Sequence, residues 1–424
     1  MNISTALKNL KTPIVIVGLG KSGFSALNFL IKSGFDKSTV LTFDEKSEAD
    51  LKSWNDFEKI QIGTLVISPG VPPQSFPLQN LLQQGWQLTS EINLATTVLT
   101  DEVVIGITGS VGKSTVTSLL GAAALTEDPN AFVGGNLGIA FCEYAISILD
   151  CKPKAKIIIL ELSSYQLENC KNLKLDYSAI TYLSANHLER YSTLDEYYLT
   201  KCQIGEMTKN LCVLNSASAD LMKYRNKISG QVVETKISEQ QINLIGKHNL
   251  ENYFVAHAIA SACGWSESAI QAMQNFSGLQ HRLEKVGAFK GVTYINDSKA
   301  TAMDSVLVAV QAALEDLAAE KKLFLLLGGK DKNLPWEQLN TLNNQKNIEF
   351  IFFGQCAAVA KAKSNLSGLI FETLFSAVDY ANQNAKSSDV VLLSPGGTSL
   401  DEFKNFEHRG NEFKNQVVKY YSEK

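Results

Sequence analysis

The sequence has no run of about 18 consecutive apolar residues, so it offers no candidate for a membrane-spanning helix. It has no Cys-x-x-Cys pair either. Its seven cysteines (Cys142, Cys151, Cys170, Cys202, Cys212, Cys263 and Cys356) are odd in number and scattered, which reads as reduced thiols, not a disulfide framework or a zinc site. An excess of one charge is also missing: 39 Lys and Arg face 43 Asp and Glu, a net −4, which argues against non-specific nucleic-acid binding. Nine prolines and 28 glycines are too few for a collagen-like or low-complexity chain. The first residues lack a basic region followed by an apolar core. These absences lead to the expectation of a cytoplasmic protein with neither a membrane nor a nucleic-acid partner.

What is present is an ordinary globular balance, 45% hydrophobic and 19% charged over 424 residues. At about 150 residues per domain, that length predicts two to four domains. Short β-branched or aliphatic runs recur at 14–17, 39–43, 64–67, 103–107, 157–160, 211–214, 323–327, 349–353 and 390–394. Apolar runs without alternation are the pattern of strands buried on both faces. Helical stretches between them predict parallel α/β sheets throughout. Boundaries are expected near residues 97 and 279, giving domains over 1–97, 98–279 and 280–424.

The strongest local signal is Gly106-Ile107-Thr108-Gly109-Ser110-Val111-Gly112-Lys113-Ser114, which follows a predicted strand and precedes an apolar-periodic helix. It fits the phosphate-binding loop GxxxxGK[ST]. In such a loop, glycines let backbone N–H groups converge on phosphate, Lys113 reaches the β/γ-phosphates and the Ser114 hydroxyl ligates Mg²⁺. A second loop, Gly18-Leu19-Gly20-Lys21-Ser22-Gly23, fits GxGxxG, with Asp44 placed to accept from a ribose hydroxyl. Taken alone it would suggest a dinucleotide oxidoreductase. Two such loops in one chain suggest ATP on one and a nucleotide-linked substrate on the other. Glu161 ends a predicted strand, where a carboxylate can join Mg²⁺ coordination, though a helix-capping acid is an alternative reading. His187 also falls just past a strand end. Spacing alone does not distinguish Lys201 from an ordinary lysine. Three later strands end in polar turns, Asn296–Thr301, Gly328–Lys332 and Ser394–Ser399, which implies one ligand rim along a third sheet. The charged and aromatic run 401–413 has the pattern of a solvated terminal helix.

These motifs, in this order, resemble the Mur ligases of bacterial peptidoglycan synthesis, most closely the members that add D-glutamate. The resemblance rests on GITGSVGKST (106–115), GGN (134–136), LELSSYQLE (160–168), NHLERY (186–191), HR (281–282), INDSKAT (295–301), LLGGKDKN (326–333) and SLDEFKNFEHRGNEF (399–413). It implies three α/β domains: N-terminal Rossmann-like, central P-loop ATPase-like and C-terminal Rossmann-like. It implies an ATP-dependent ligase that adds D-glutamate to UDP-N-acetylmuramoyl-L-alanine through an acyl phosphate, as a monomer, with two Mg²⁺ ions. By motif, Gly109, Gly112, Lys113, Ser114, Thr115, Asn252, Arg282, Asp297 and Lys299 serve ATP. Ser114, Glu161, His187 and Lys201 serve the metal ions, Lys201 as a carbamylated lysine. Gly20, Ser22, Asp44, Lys46, Ser68, Gly70 and Asn136 serve the UDP-linked substrate, which reassigns the first loop. Thr301, Lys332, Ser399 and Phe406 serve D-glutamate, the last through its backbone. The chain departs from the family pattern at Val111, Asn186, Lys46 and Gly396-Gly397-Thr398. A relative using another amino acid, such as a folylpolyglutamate synthase-like ligase, a nicotinamide dehydrogenase and a non-catalytic nucleotide binder are the competing readings.

Overall fold

The computed structural model describes residues 5–185, 190–315 and 317–422. Its strands form three sheets. The first holds β1 (Ile14–Val17), β2 (Val40–Phe43), β3 (Thr64–Ile67) and β4 (Gln87–Ser90), in the order β2-β1-β3-β4 and all parallel. The second holds β5 (Val103–Thr108), β6 (Phe132–Gly135), β7 (Ile157–Glu161), β8 (Leu175–Ile180), β9 (Thr208–Leu214) and β10 (Val232–Glu234). Its order is β10-β9-β8-β5-β7-β6, again all parallel. The third holds β11 (Glu284–Phe289), β12 (Val292–Asn296), β13 (Leu323–Gly328), β14 (Ile348–Phe353), β15 (Gly368–Phe371) and β16 (Val390–Gly396), in the order β11-β12-β16-β13-β14-β15.

The expectation of parallel sheets throughout fails at one pair. β11 runs antiparallel to β12. Only Lys290 and Gly291 join them, both at positive φ. A two-residue hairpin of that kind cannot connect parallel strands, which need a long crossover. Between β10 and β11 the chain forms two helices, Lys247–Ala262 and Glu267–Gln274, broken at Gly264 with φ +70.

The core strands β1, β3 and β13 are buried at every residue, as their unbroken apolar runs require. The first two sheets share one hydrophobic core. Ile14, Ile16, Phe29 and Leu30 cluster with Phe141, Tyr144 and Ala145, so the helices Lys21–Lys32 and Phe141–Leu149 pack together. Ser25 Oγ donates to Glu143 Oε1 at 2.7 Å across that contact. Accordingly Met1–Gln240 with Glu251–Gln274 form one compact unit, and Gln241–Leu250 with Asn275–Lys424 form another. Among the described residues no helix is long and apolar enough to cross a membrane.

In each sheet the connectivity reverses beside a central strand. Ligands of open α/β sheets bind at such switch points, outside the carboxyl ends of the strands. In the first sheet this is the gap between β1 and β3, and in the second it is the end of β5 between β7 and β8.

Candidate functional site

The loop after β5 has the local geometry that its sequence demands. Gly109 and Gly112 lie at φ +146 and +89, and a Cβ on Gly112 would come within 2.4 Å of Asn252 Oδ1. The N–H groups of Ser110 and Val111 are tied to the Tyr182 carbonyl at 2.6 and 3.4 Å, which fixes the loop against the strand end of β8. Lys113 opens the helix Lys113–Glu127 and folds back, donating from Nζ to the carbonyls of Gly109 and Ser110 at 2.9 and 3.0 Å. Ser114 and Thr115 sit half-buried in the first turn, where free N–H groups and the helix dipole favour an anion. Asn252, about 140 residues away, meets the loop through the helix Lys247–Ala262.

Glu161 ends β7 and pairs in register with Ile107 of β5, which brings it to the same sheet edge. Its side chain is buried. Oε1 accepts from Asn136 Nδ2 at 2.6 Å, whereas Oε2 is buried and has no hydrogen-bond partner among the described residues. The turn that carries Asn136 must approach closely: Gly135 has φ +94, and a Cβ there would lie 2.4 Å from the Glu161 carbonyl oxygen. An unpartnered buried carboxylate oxygen costs a few kcal/mol, on the order of the desolvation of that group, unless a cation satisfies it. Glu161 with the Ser114 hydroxyl therefore fits Mg²⁺, which is commonly held by one or two carboxylates plus phosphates and water.

Lys201, in the helix Leu194–Cys202, is only 1% exposed, and its Nζ lies 4.7 Å from the Tyr197 ring centroid. Burial first, and then repulsion from Lys113, hold its amine well below the usual lysine range, while Glu161 pulls the other way. Tyr197 donates to Ser110 Oγ at 3.1 Å, linking this helix to the phosphate loop. The structure thus gives Lys201 the distinction that sequence spacing withheld. His187 lies outside the described residues.

Gly20, Ser22, Asp44, Ser68 and Gly70, from loops of the first sheet, line one cleft of about 390 Å³ together with Gly135 and Asn136 at the end of β6 and Gln166 in the short helix after β7. Lys46 is not part of that lining. Ser68 Oγ donates to the Gly18 carbonyl at 2.6 Å, bridging the ends of β1 and β3. Asp44 accepts from Leu19 N, Lys46 N and Ser47 N at 2.8 to 2.9 Å. These backbone donors pull its carboxyl down to about 2.

In the third sheet β12, β16 and β13 are adjacent, so the three polar turns meet along one edge. Lys330 N and Thr398 O pair at 2.7 Å, and Thr398 N and Lys330 O at 3.0 Å. Asp297 is buried and accepts from Ser394 Oγ and Leu283 N at 3.0 and 3.2 Å. Burial outweighs these donors and pushes its carboxyl up to about 7. Lys299 Nζ lies 4.9 Å from the Phe406 ring centroid. The Phe406 carbonyl accepts from Ser298 Oγ at 2.8 Å, so that backbone oxygen is already engaged within the protein. Ser399 is buried, while Thr301 and Lys332 are exposed along the rim.

Sequence reasoning missed Arg409. The terminal helix Phe406–Ser422 is not simply solvated, because Arg409 on it is fully buried. Its guanidinium donates to Ser298 Oγ, Ser298 O and Gly397 O at 3.0, 2.8 and 3.1 Å, tying the turns after β12 and β16 together. A buried cation whose hydrogen bonds go to neutral oxygens far along the chain has no one-dimensional signature.

Comparison with known proteins bears on this arrangement. Residues 107–243 match the Mur ligase middle domain. The chain is 33% identical to the UDP-N-acetylmuramoylalanine–D-glutamate ligase of Haemophilus influenzae, over 94% of this chain and 96% of that protein. It is 33% identical to the ligase of the same name from Koribacter versatilis, over 96% and 97%. The solved MurF ligase of Thermotoga maritima in complex with ADP shares the fold at a TM-score of 0.60, with 16% identity, over 98% of this chain and 97% of that one.

Proposed function

The chain belongs to the Mur ligase family of ATP-dependent amide ligases, and from that premise we propose that it joins D-glutamate to UDP-N-acetylmuramoyl-L-alanine. The observation that carries the chemistry is the convergence at one sheet edge of the phosphate loop, the buried unpartnered oxygen of Glu161 and the buried amine of Lys201.

The substrate's terminal carboxylate attacks the γ-phosphorus of ATP, and the bond to ADP breaks, leaving an acyl phosphate. The amine of D-glutamate then attacks the acyl carbon, the bond to phosphate breaks, and the nitrogen loses a proton as the amide forms. Each step gathers negative charge, so fixed cations and N–H donors lower its barrier. Lys113 neutralises the transferring phosphoryl group, and the helix start at Ser114 and Thr115 faces its oxygens. Ser114 and Glu161 would hold Mg²⁺, which would supply further charge neutralisation, and His187 and Lys201 would hold a second ion. A lysine driven toward its neutral amine is a nucleophile for CO₂; attack by nitrogen with loss of a proton gives a carbamate, an anionic metal ligand. The burial of the Lys201 amine supports that reading.

Asn252, Arg282, Asp297 and Lys299 are assigned to ATP along with Gly109 and Gly112. The cleft beside Ser68 and Asn136 takes the UDP-linked substrate, with Lys46 reaching it from outside the lining. Thr301, Lys332, Ser399 and Phe406 are assigned to D-glutamate. The domains so defined are 1–97, 98–279 and 280–424. The assay supplies ATP, Mg²⁺ and UDP-N-acetylmuramoyl-L-alanine with D-glutamate, L-alanine, L-lysine or diaminopimelate in separate reactions. Phosphate release is expected with D-glutamate alone. Release with a different amine would replace this substrate assignment by another one within the family.

A further inference from the structure

The wall of the first-sheet cleft is held from outside its own sheet. Arg190 lies ten residues beyond the end of β8, and its side chain is only 5% exposed. Its guanidinium donates to the Pro69 carbonyl from Nη1 at 3.0 Å and to the Val71 carbonyl from Nη2 at 3.3 Å. Nη2 also donates to Glu168 Oε2 at 2.6 Å, and Tyr191 donates to the other Glu168 oxygen. The guanidinium carbon lies 4.1 Å above the Tyr165 ring. Pro69 and Val71 flank Gly70 in the cleft wall, and Ser68 begins it. One planar cation thus holds the carbonyls on either side of Gly70 in that wall while it is itself oriented by a carboxylate and an aromatic face. A guanidinium presents its donors from separate nitrogens held in one plane, whereas an ammonium offers its donors from a single compact nitrogen.

We propose that Arg190 is a positioning residue for the UDP-linked substrate: it sets the place of the Ser68–Val71 wall, and so the shape of the cleft, without touching the substrate. This role rests on the assignment of the cleft to that substrate. It predicts a selective effect. Changes at Arg190 weaken the UDP-linked substrate and leave the other two reactants nearly alone, because the wall belongs to neither of their sites.

The test uses the full-length protein and two variants. Arg190→Lys keeps a charge beside Glu168 but loses the arms to the wall. Arg190→Gln combined with Glu168→Gln leaves no unpaired buried charge, so it serves if the first does not fold. The expected result in either is a KM for UDP-N-acetylmuramoyl-L-alanine raised about tenfold or more, the scale of a lost charge-assisted hydrogen bond. KM for ATP and D-glutamate should stay within about twofold, which a general loosening of the fold would not produce. Calorimetry with UDP-N-acetylmuramoyl-L-alanine alone separates two failures. Absence of binding to the unaltered protein overturns the cleft assignment and this role with it. Binding to the unaltered protein with equal affinity in the variants, or a joint rise of all three KM values, overturns the role of Arg190 alone.

Discussion

Replacing Gly112 by alanine tests the phosphate loop through geometry alone, since no charge or hydrogen-bonding group is removed. Two costs follow from the structure. The residue sits at φ +89, and an L side chain in the left-handed region costs ~1–2 kcal/mol. The new methyl would lie 2.4 Å from Asn252 Oδ1, so that side chain must retreat by roughly 1 Å to reach ordinary contact. Against these, alanine restricts the unfolded chain and returns about 0.4–1 kcal/mol. The net loss is on the order of 1 kcal/mol plus the displacement of Asn252, which lowers the melting temperature by a few degrees. The larger effect falls on ATP, because both the loop and a nucleotide-site residue move. KM for ATP should rise about tenfold, with KM for the other two reactants within about twofold. Asn252→Ala removes the atom in the way. In that background Gly112→Ala should keep only the strain part of its thermal penalty, a coupling that a double-mutant cycle reads directly. An unchanged KM for ATP, or an equal thermal cost in both backgrounds, would refute the reasoning.

Glu161→Gln keeps the size of the side chain and the contact with Asn136 but removes the charge that a cation needs; turnover should fall at least ~100-fold, with the melting temperature unchanged or higher, and normal turnover would contradict the metal assignment. Lys201→Ala should likewise lose most turnover, and added bicarbonate should not restore it; near-normal rates in the variant would remove Lys201 from the reaction. Asp297 gives a pH signature. Its carboxyl is raised from 3.8 to about 7, so between those values the folded protein holds a proton that the unfolded chain has released. The stability contributed by this group therefore falls as pH rises through that window. Asp297→Asn should raise the melting temperature by several degrees at pH 8 and by less at pH 5, and calorimetry showing the same increment at both would contradict the burial argument.

The residues read most readily from sequence are those whose partners are close in the chain or whose function needs a fixed local shape. The loop 106–114 is legible because strand, glycines and helix start follow one another. Strands such as β1 and β13 are legible because burial on both faces leaves an unbroken apolar run. β11 escaped notice because Glu284–Phe289 is half-exposed and mixed in character, and only its hairpin to β12 makes it a strand. Arg409 and Arg190 escaped for a different reason. Arg190 meets Glu168 22 residues away and Pro69 121 residues away, and Arg409 meets Ser298 111 residues away. A buried arginine has the same letter as an exposed one until the fold assembles its oxygens. Lys201 lies between these cases: its motif is visible through family resemblance, but the burial that holds its amine below the usual lysine range is a property of the packed helix.

In the proposed mechanism the reaction passes through an acyl phosphate on the substrate's own carboxylate. Supplying UDP-N-acetylmuramoyl-L-alanine with both oxygens of its terminal carboxylate labelled as ¹⁸O, together with ATP, Mg²⁺ and D-glutamate, tests it directly. Mass spectrometry should find one ¹⁸O in the released phosphate and one retained in the new amide. Phosphate free of ¹⁸O would contradict the mechanism.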